Sequence, residues 1–203
     1  LVVLANFGDK VERVVPKTGI KHVIVTNVGD MHCPLKRTLI NTVLKYVKKE
    51  VPAANIPGAI PLRKALSKGK GKPYTSAPAT SDDIAVLQYT GGTTGVAKGA
   101  MLTHGNLMAN MAQAYGVFKQ VMSEGEETVI CPLPLYHIYA FTMHCMVLLQ
   151  TGNHSILIPN PRDIPGFIKT LQKTDFTGFV GLNTLFVALC AQEDFRALDF
   201  SKL

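Results

Sequence analysis

What the chain lacks narrows its function before any motif is read. Its four cysteines, Cys33, Cys131, Cys145 and Cys190, form no C-x-x-C pair and no short spacing of the kind that holds zinc or staples a small secreted domain. That pattern argues against a metal-ribbon or disulfide-framework protein and leads to the expectation of a reducing, cytoplasmic setting. The longest apolar run goes from Ile138 to Leu149 and is interrupted by His144, whereas a spanning helix needs about twenty apolar residues. No transmembrane segment is expected, and the N-terminus has no signal-peptide pattern. No internal repeat or low-complexity tract stands out, which sets aside solenoids and disordered tails.

Acidic residues are the scarcer charge, with 14 Asp and Glu against 21 Lys and Arg, a formal net charge of +7. Such a balance suits an acidic ligand, an anionic membrane surface or nucleic acid. A nucleic-acid partner is not expected, because the densest basic cluster, Arg63, Lys64, Lys68, Lys70 and Lys72, has neither interleaved aromatics nor a recognition helix. With 203 residues and 47% hydrophobic content, the chain can bury a substantial core. It begins at Leu1 rather than at methionine, so a fragment is expected. Its terminal Ser201-Lys202-Leu203, a peroxisomal address at a true C-terminus, is accordingly read as a coincidence of truncation.

Periodicity predicts an α/β fold with a mostly parallel sheet and flanking helices. Leu1 to Phe7 and His22 to Thr26 read as strands around a helix from Asp9 to Val15, a βαβ-like segment within residues 1–50. Leu39, Ile40, Val43, Leu44 and Val47 then recur at helical spacing, with Lys45, Lys48 and Lys49 near the helix end. That helix reads either as a surface helix covering a sheet or as a basic amphipathic membrane anchor. Residues 51–81, rich in proline and lysine, read as a linker or surface segment with one helical turn near Leu62 to Leu66. Residues 82–203 carry Ile84 to Leu87 as a strand, and Thr103 as N-cap of a helix bearing Leu107, Met108, Met111, Tyr115 and Phe118. They continue with a strand at Thr128 to Cys131, a buried helix from Ile138 to Gln150 ended by Gly152, and a strand from His154 to Pro159. Asp163 is expected to cap a helix with Ile164, Phe167, Ile168 and Leu171 facing inward, and Phe176 to Val180 to form a strand. Asn183 or Thr184 is expected to cap the last helix.

The stretch around which these elements are arranged is Tyr89-Thr90-Gly91-Gly92-Thr93-Thr94-Gly95-Val96-Ala97-Lys98-Gly99. Glycines let backbone N–H groups converge, threonines supply hydroxyls and Lys98 supplies a cation, which together make a nest for a phosphate chain. It is not a Walker A loop, which needs G-x-x-x-x-G-K-[ST]; here Lys98 lies between Ala97 and Gly99. Two further segments follow expected strands: Pro132-Leu133-Pro134-Leu135-Tyr136-His137 and Gly181-Leu182-Asn183-Thr184. Ligands gather at the carboxyl ends of parallel strands, so all three are expected to border one cleft.

The phosphate stretch, continued by Ala100-Met101-Leu102-Thr103-His104, resembles the phosphate motif of the acyl-adenylate-forming superfamily, in particular its long-chain fatty acid–CoA ligases. Pro132 to His137 resembles that superfamily's second core motif. The likeness continues through Asn160 to Gly166 and Gly181 to Phe186, and is looser before Asp82. The resemblance implies that Thr90, Gly91, Gly92, Thr93, Thr94, Gly95, Lys98 and Gly99 embrace the β- and γ-phosphates of ATP, with Thr90 helping to hold Mg²⁺. It makes Lys98 and His137 the catalytic candidates, His137 orienting the carboxylate and acyl-adenylate. Tyr136, His137, Phe141, Gly181, Leu182, Asn183 and Thr184 would bind substrate. Phe141 reads equally as an aromatic gate to an acyl tunnel and as a core aromatic. The implied reaction activates a long-chain fatty acid with ATP to an acyl-adenylate and passes the acyl group to coenzyme A. Peripheral contact with the inner membrane surface and a homodimer are compatible with the same likeness. A medium-chain or aryl acid ligase, or a noncatalytic ATP- or lipid-binding module, are the alternatives. The superfamily's later motifs and its small C-terminal domain are absent from this sequence, so residues 1–203 alone are not expected to form acyl-CoA.

Overall fold

The computed structural model describes residues 1–90 and 98–203. The chain divides into two units, Leu1–Ser76 and Ala77–Leu203. In the first, β1 (Val2–Leu4), β2 (Ile24–Thr26) and β3 (Ile60–Pro61) form a parallel sheet in that order. The crossover from β1 to β2 contains α1 (Gly8–Val14), whose Val11 is buried. α2 (Pro34–Thr42) starts at a proline, which has no N–H to leave unsatisfied in the first turn, and runs on as a π-helical stretch through Val43–Val47. The positive φ of 53° at Lys49 ends it. Asp30 is buried behind β2, where its carboxylate accepts from the Asn27 backbone N–H at 2.8 Å and from the Asn41 amide at 3.1 Å.

Residues 51–81, expected as a linker or surface segment with one helical turn near Leu62 to Leu66, also carry a strand. They contribute β3, which pairs with β2, and α3 (Leu62–Gly69). Proline masked the strand: Pro61 is tolerated because β3 lies at the sheet edge, where one face of its backbone needs no donor.

In the second unit, β4 (Ile84–Thr90) and β5 (Lys98–Thr103) form an antiparallel pair, followed directly by α4 (His104–Phe118). A separate parallel sheet has the order β7–β6–β8, from β6 (Thr128–Cys131), β7 (His154–Leu157) and β8 (Gly178–Phe179). Between β6 and β7 a continuous helix comprises α5 (Ile138–Ala140), a π-helical stretch (Phe141–Val147) and α6 (Leu148–Gln150), and Gly152 follows with φ of 70°. α7 (Ile164–Leu171) connects β7 to β8, and α8 (Asn183–Cys190) and α9 (Glu193–Arg196) follow. The Asp163 carboxylate caps α7 by accepting the Gly166 N–H at 3.1 Å, as its position before Pro165 predicts.

One cluster of buried side chains in this unit gathers around Ile130 of β6. Ile130, Phe167, Ile168, Leu171, Phe176 and Leu189 are all buried there. Phe179 joins the cluster with its ring centroid 5.7 Å from that of Phe167 and 5.0 Å from that of Phe186. Among the described residues no helix is long and apolar enough to cross a membrane.

Candidate active site

The expected phosphate loop joins the two strands of the β4–β5 hairpin. Gly91, Gly92, Thr93, Thr94 and Gly95 lie outside the described residues, so the structure reports on the loop's stem. Thr90 ends β4 opposite Lys98, which opens β5, and both are exposed. The Thr90 hydroxyl donates to the Lys98 carbonyl at 3.4 Å. One step down the hairpin, Tyr89 pairs with Gly99, and a Cβ on Gly99 would meet the tyrosine ring at 3.3 Å. Gly99 thus leaves room for the ring to lie across the neighbouring strand, which stiffens the stem.

The hairpin is fixed to the unit through α4. The Thr103 hydroxyl accepts the Asn106 N–H at 3.2 Å while the Asn106 side-chain oxygen accepts the Thr103 N–H at 3.1 Å, a reciprocal cap. Backbone bonds from His104 to the Asp83 carbonyl (3.0 Å) and from Gly105 to the Ser81 carbonyl (2.8 Å) tie the helix start to the chain entering β4. Leu107 and Met111 are buried, whereas Met108, expected on the same face, is exposed.

The second segment leaves β6. Pro132 is fully buried, Tyr136 is exposed, and His137 is the N-cap of α5. The His137 Nδ1 accepts the Tyr139 backbone N–H at 3.3 Å. An accepting Nδ1 leaves the ring proton of the neutral imidazole on Nε2, which becomes a donor available to a ligand oxygen. The third segment leaves β8. Because β6 and β8 are parallel neighbours, with the Val180 N–H donating to the Ile130 carbonyl at 3.3 Å, Pro132–His137 and Gly181–Thr184 rise from the same edge of one sheet. A Cβ on Gly181 would come within 2.9 Å of the Phe186 ring, so glycine is required for that close approach. Leu182 is the N-cap of α8, with no side-chain cap bond, and Asn183 and Thr184 are exposed in its first turn. The expected cap by Asn183 or Thr184 is therefore not formed.

The parallel-strand rule thus accounts for two of the three segments. The phosphate stretch sits on an antiparallel hairpin instead: Gln88, Tyr89 and Thr90 continue β4, and Ala100, Met101 and Leu102 are the returning strand. Exposure on both strands had hidden the pairing from a reading of apolar runs.

Behind this edge, two small cavities border the helix of α5, the π-helical stretch and α6. One, of about 280 Å³, lies against α4 and is bordered by Ala114, Phe118, Ile138, Thr142 and Met143. The other, of about 190 Å³, shares Phe118 and Met143 and continues under β8 past Val180 and Phe179 to Thr177 and Glu127. Thr142 and Met143, rather than the half-buried Phe141, face these cavities. Sequence reading missed Met143, Thr177 and Glu127 as candidate site residues; nothing in their local pattern separates a cavity wall from ordinary packing. His144, in the π-helical stretch, is buried, with Nδ1 2.9 Å from the Ser155 hydroxyl and Nε2 without a hydrogen-bond partner among the described residues. Burial lowers its pKa to about 4. The Cys131 and Cys145 thiols are pushed up by burial, which disfavours the thiolate a nucleophile needs.

Over residues 5–203 the chain matches the family model described as AMP-binding enzyme. The chain belongs to the AMP-binding enzyme family. It is 47% identical over 203 residues to the long-chain-fatty-acid–CoA ligase of Salmonella typhimurium, all of this chain matching 36% of that protein. The chain therefore spans about a third of the length of the curated relatives it matches. Among solved structures, a long-chain-fatty-acid–CoA ligase from Archaeoglobus fulgidus superposes with a TM-score of 0.59 at 21% identity, covering 100% of this chain and 34% of that one. ATP-bound MatB from Rhodopseudomonas palustris superposes with a TM-score of 0.58 at 21% identity, covering 91% and 34% respectively. At that identity the structural likeness establishes the fold of this AMP-binding segment.

Proposed function

We propose that the protein containing this AMP-binding segment activates long-chain fatty acids to acyl-CoA through an acyl-adenylate. The observation that carries the reading is identity of 47% along the whole chain to relatives named long-chain-fatty-acid–CoA ligases. The hairpin fits the part required of it: a stiff stem presents Lys98 and the Thr90 hydroxyl beside a Gly/Thr loop, a donor-rich surface for the phosphates of ATP. The Nε2–H of His137 serves as the donor that holds an oxygen of the fatty carboxylate or of the adenylate carbonyl.

In the first step a carboxylate oxygen bonds to the α-phosphorus as the bond to pyrophosphate breaks, and negative charge grows on the phosphate oxygens. Donors and a cation already in place stabilise that charge without reorganising. In the second step the coenzyme A sulfur bonds to the acyl carbon and AMP leaves. A magnesium ion accompanying ATP would supply further charge neutralisation. Among the described residues no group of His, Cys, Asp or Glu side chains is arranged to hold a metal, and Thr90 offers one hydroxyl. That donor set does not make a metal site by itself, so no step is assigned to the ion. Peripheral contact with an anionic lipid surface belongs to the same proposal. It is supported by α2 and its extension, which expose Leu35, Leu39 and Val47 beside Lys36, Lys45 and Lys48.

The test is product analysis with the full-length protein, palmitate, ATP and coenzyme A. Palmitoyl-CoA formed together with AMP and pyrophosphate supports the proposal. ADP as the nucleotide product, or ATP binding without any acyl-dependent turnover, would overturn it in favour of a kinase-like reaction or a noncatalytic binding module.

A further inference from the structure

The two cavities flanking the α5–α6 helix both border Phe118 and Met143, and the polar side chains that line the far one are those of Glu127 and Thr177. The nearer cavity begins at Ile138, the residue after His137, and meets the farther one at Phe118 and Met143. From there the farther cavity follows β8 backwards from Val180 to Thr177. Three residues of extended chain cover roughly 10 Å, so this cavity runs from the edge where His137 emerges toward the opposite edge of the sheet. Its walls are apolar along Val129, Met143, Leu148 and Phe179. Only at the end does the lining become polar, where Glu127 and Thr177 stand.

Glu127 is held there on several sides. One carboxylate oxygen accepts the Ser123 backbone N–H at 2.6 Å and the other accepts the Thr177 hydroxyl. Its own backbone N–H donates to the Asn153 side-chain oxygen at 3.1 Å, and the Thr177 hydroxyl accepts the Thr128 N–H at 3.1 Å. The side chain thus joins the turn after α4 to Thr177 before β8, while the backbone N–H ties the same residue to Asn153 before β7. An anchored carboxylate is a firm stop for a methyl terminus, because an alkyl group pushed against it strips its solvation and gives no hydrogen bond in return.

We propose that Glu127, positioned by Thr177 and Ser123, is the determinant that sets the upper limit of acyl chain length. This rests on the acyl-activating reading above and deepens it: the alkyl tail passes Phe118 and Met143, fills the space under β8 and ends at Glu127. Shortening this side chain lengthens the site.

The experiment is a chain-length profile of kcat/KM from octanoate to tetracosanoate on the full-length protein. Glu127→Ala, Glu127→Asp, Thr177→Val and Glu127→Gln are compared with the unaltered protein, and retained folding is checked by thermal melting. Glu127→Ala is expected to move the optimum to longer acids, each further methylene admitted raising relative kcat/KM about fourfold. Glu127→Asp, which keeps the charge and withdraws it by one methylene, gives a smaller shift in the same direction. Thr177→Val, which frees one carboxylate oxygen, gives a shift between these. Glu127→Gln keeps the shape of the stop and leaves the optimum in place. KM for ATP stays unchanged in all four. If Glu127→Ala does not fold, the Asp and Val variants decide the matter. Folded variants with the unaltered profile overturn the proposal while leaving the ligase reading intact, whereas absence of fatty-acid-dependent activity in the unaltered protein overturns the ligase reading itself.

Discussion

Acid should destabilise this segment through one imidazole. His144 is 4% exposed, faces the Ser155 hydroxyl through Nδ1 and leaves Nε2 without a partner among the described residues. Among the described residues none sets a counter-charge beside it, and burial lowers its pKa from 6.5 to about 4. A histidine with a depressed folded-state pKa is neutral in the fold and charges more readily once unfolded. Its contribution is therefore fully present above pH 6.5, falls as the pH drops toward 4, and is constant below that. The shift corresponds to about 3 kcal/mol across the window. Denaturant melting of the full-length protein at pH 7 and pH 4.5, on unaltered protein and His144→Gln, isolates the effect. The amide keeps a polar partner for Ser155 but cannot charge, so its own packing cost is the same at both pH values and cancels in the double difference. The variant is expected to lose about 2 to 3 kcal/mol less on acidification than the unaltered protein. Equal losses in the two proteins would refute the reasoning, and so would a ring-carbon NMR titration placing the His144 pKa near 6.5.

Three further outcomes follow from the same geometry. Gly181→Ala places a methyl 2.9 Å from the Phe186 ring and should cost about 1 to 3 kcal/mol in thermal or denaturant melting while raising KM for the fatty acid, because the ring and the segment above β8 must move apart. Thr103→Ala removes the reciprocal cap at the start of α4 and should cost about 1 kcal/mol; hydrogen exchange should rise first in the amides at 104–107. Phe167→Ala, at a side chain that is 1% exposed in the centre of the core, should cost about 3 to 5 kcal/mol, and a loss under 1 kcal/mol would mean that the cluster around Ile130 and Leu189 is not the core.

The parallel strands and their helices were legible because their signals are local and mutually consistent. Thr128 to Cys131 is a short β-branched strand, Asp163 is an N-cap with Pro165 in the first turn that follows, and Ile164, Phe167, Ile168 and Leu171 share one helical face. Hidden elements were those whose pairing is nonlocal or whose residues contradict propensity. β3 contains Pro61 and is only two residues long. β4 and β5 are largely exposed, so their alternation does not read as apolar periodicity, and their Gly and Thr content points to a turn. Of the candidate site, His137 and Gly181 were found through the motifs that contain them. Their roles as helix cap and as close-approach glycine depend on Tyr139 and Phe186, residues no spacing rule selects. Glu127 was invisible for a similar reason: beside Glu124 and Glu126 it reads as part of an acidic turn, and only the fold turns it toward Thr177.

The proposed role of the hairpin carrying Thr90 and Lys98 is to hold the phosphates of ATP for attack by a fatty carboxylate. Its most direct measurement is palmitate-dependent exchange of labelled pyrophosphate into ATP by the full-length protein, compared with Lys98→Ala. Exchange that requires palmitate in the unaltered protein and falls by about 10²- to 10³-fold in the variant, the loss typical of removing one electrostatic contact to developing charge, is the result predicted. Exchange and ATP affinity unchanged by Lys98→Ala would contradict it.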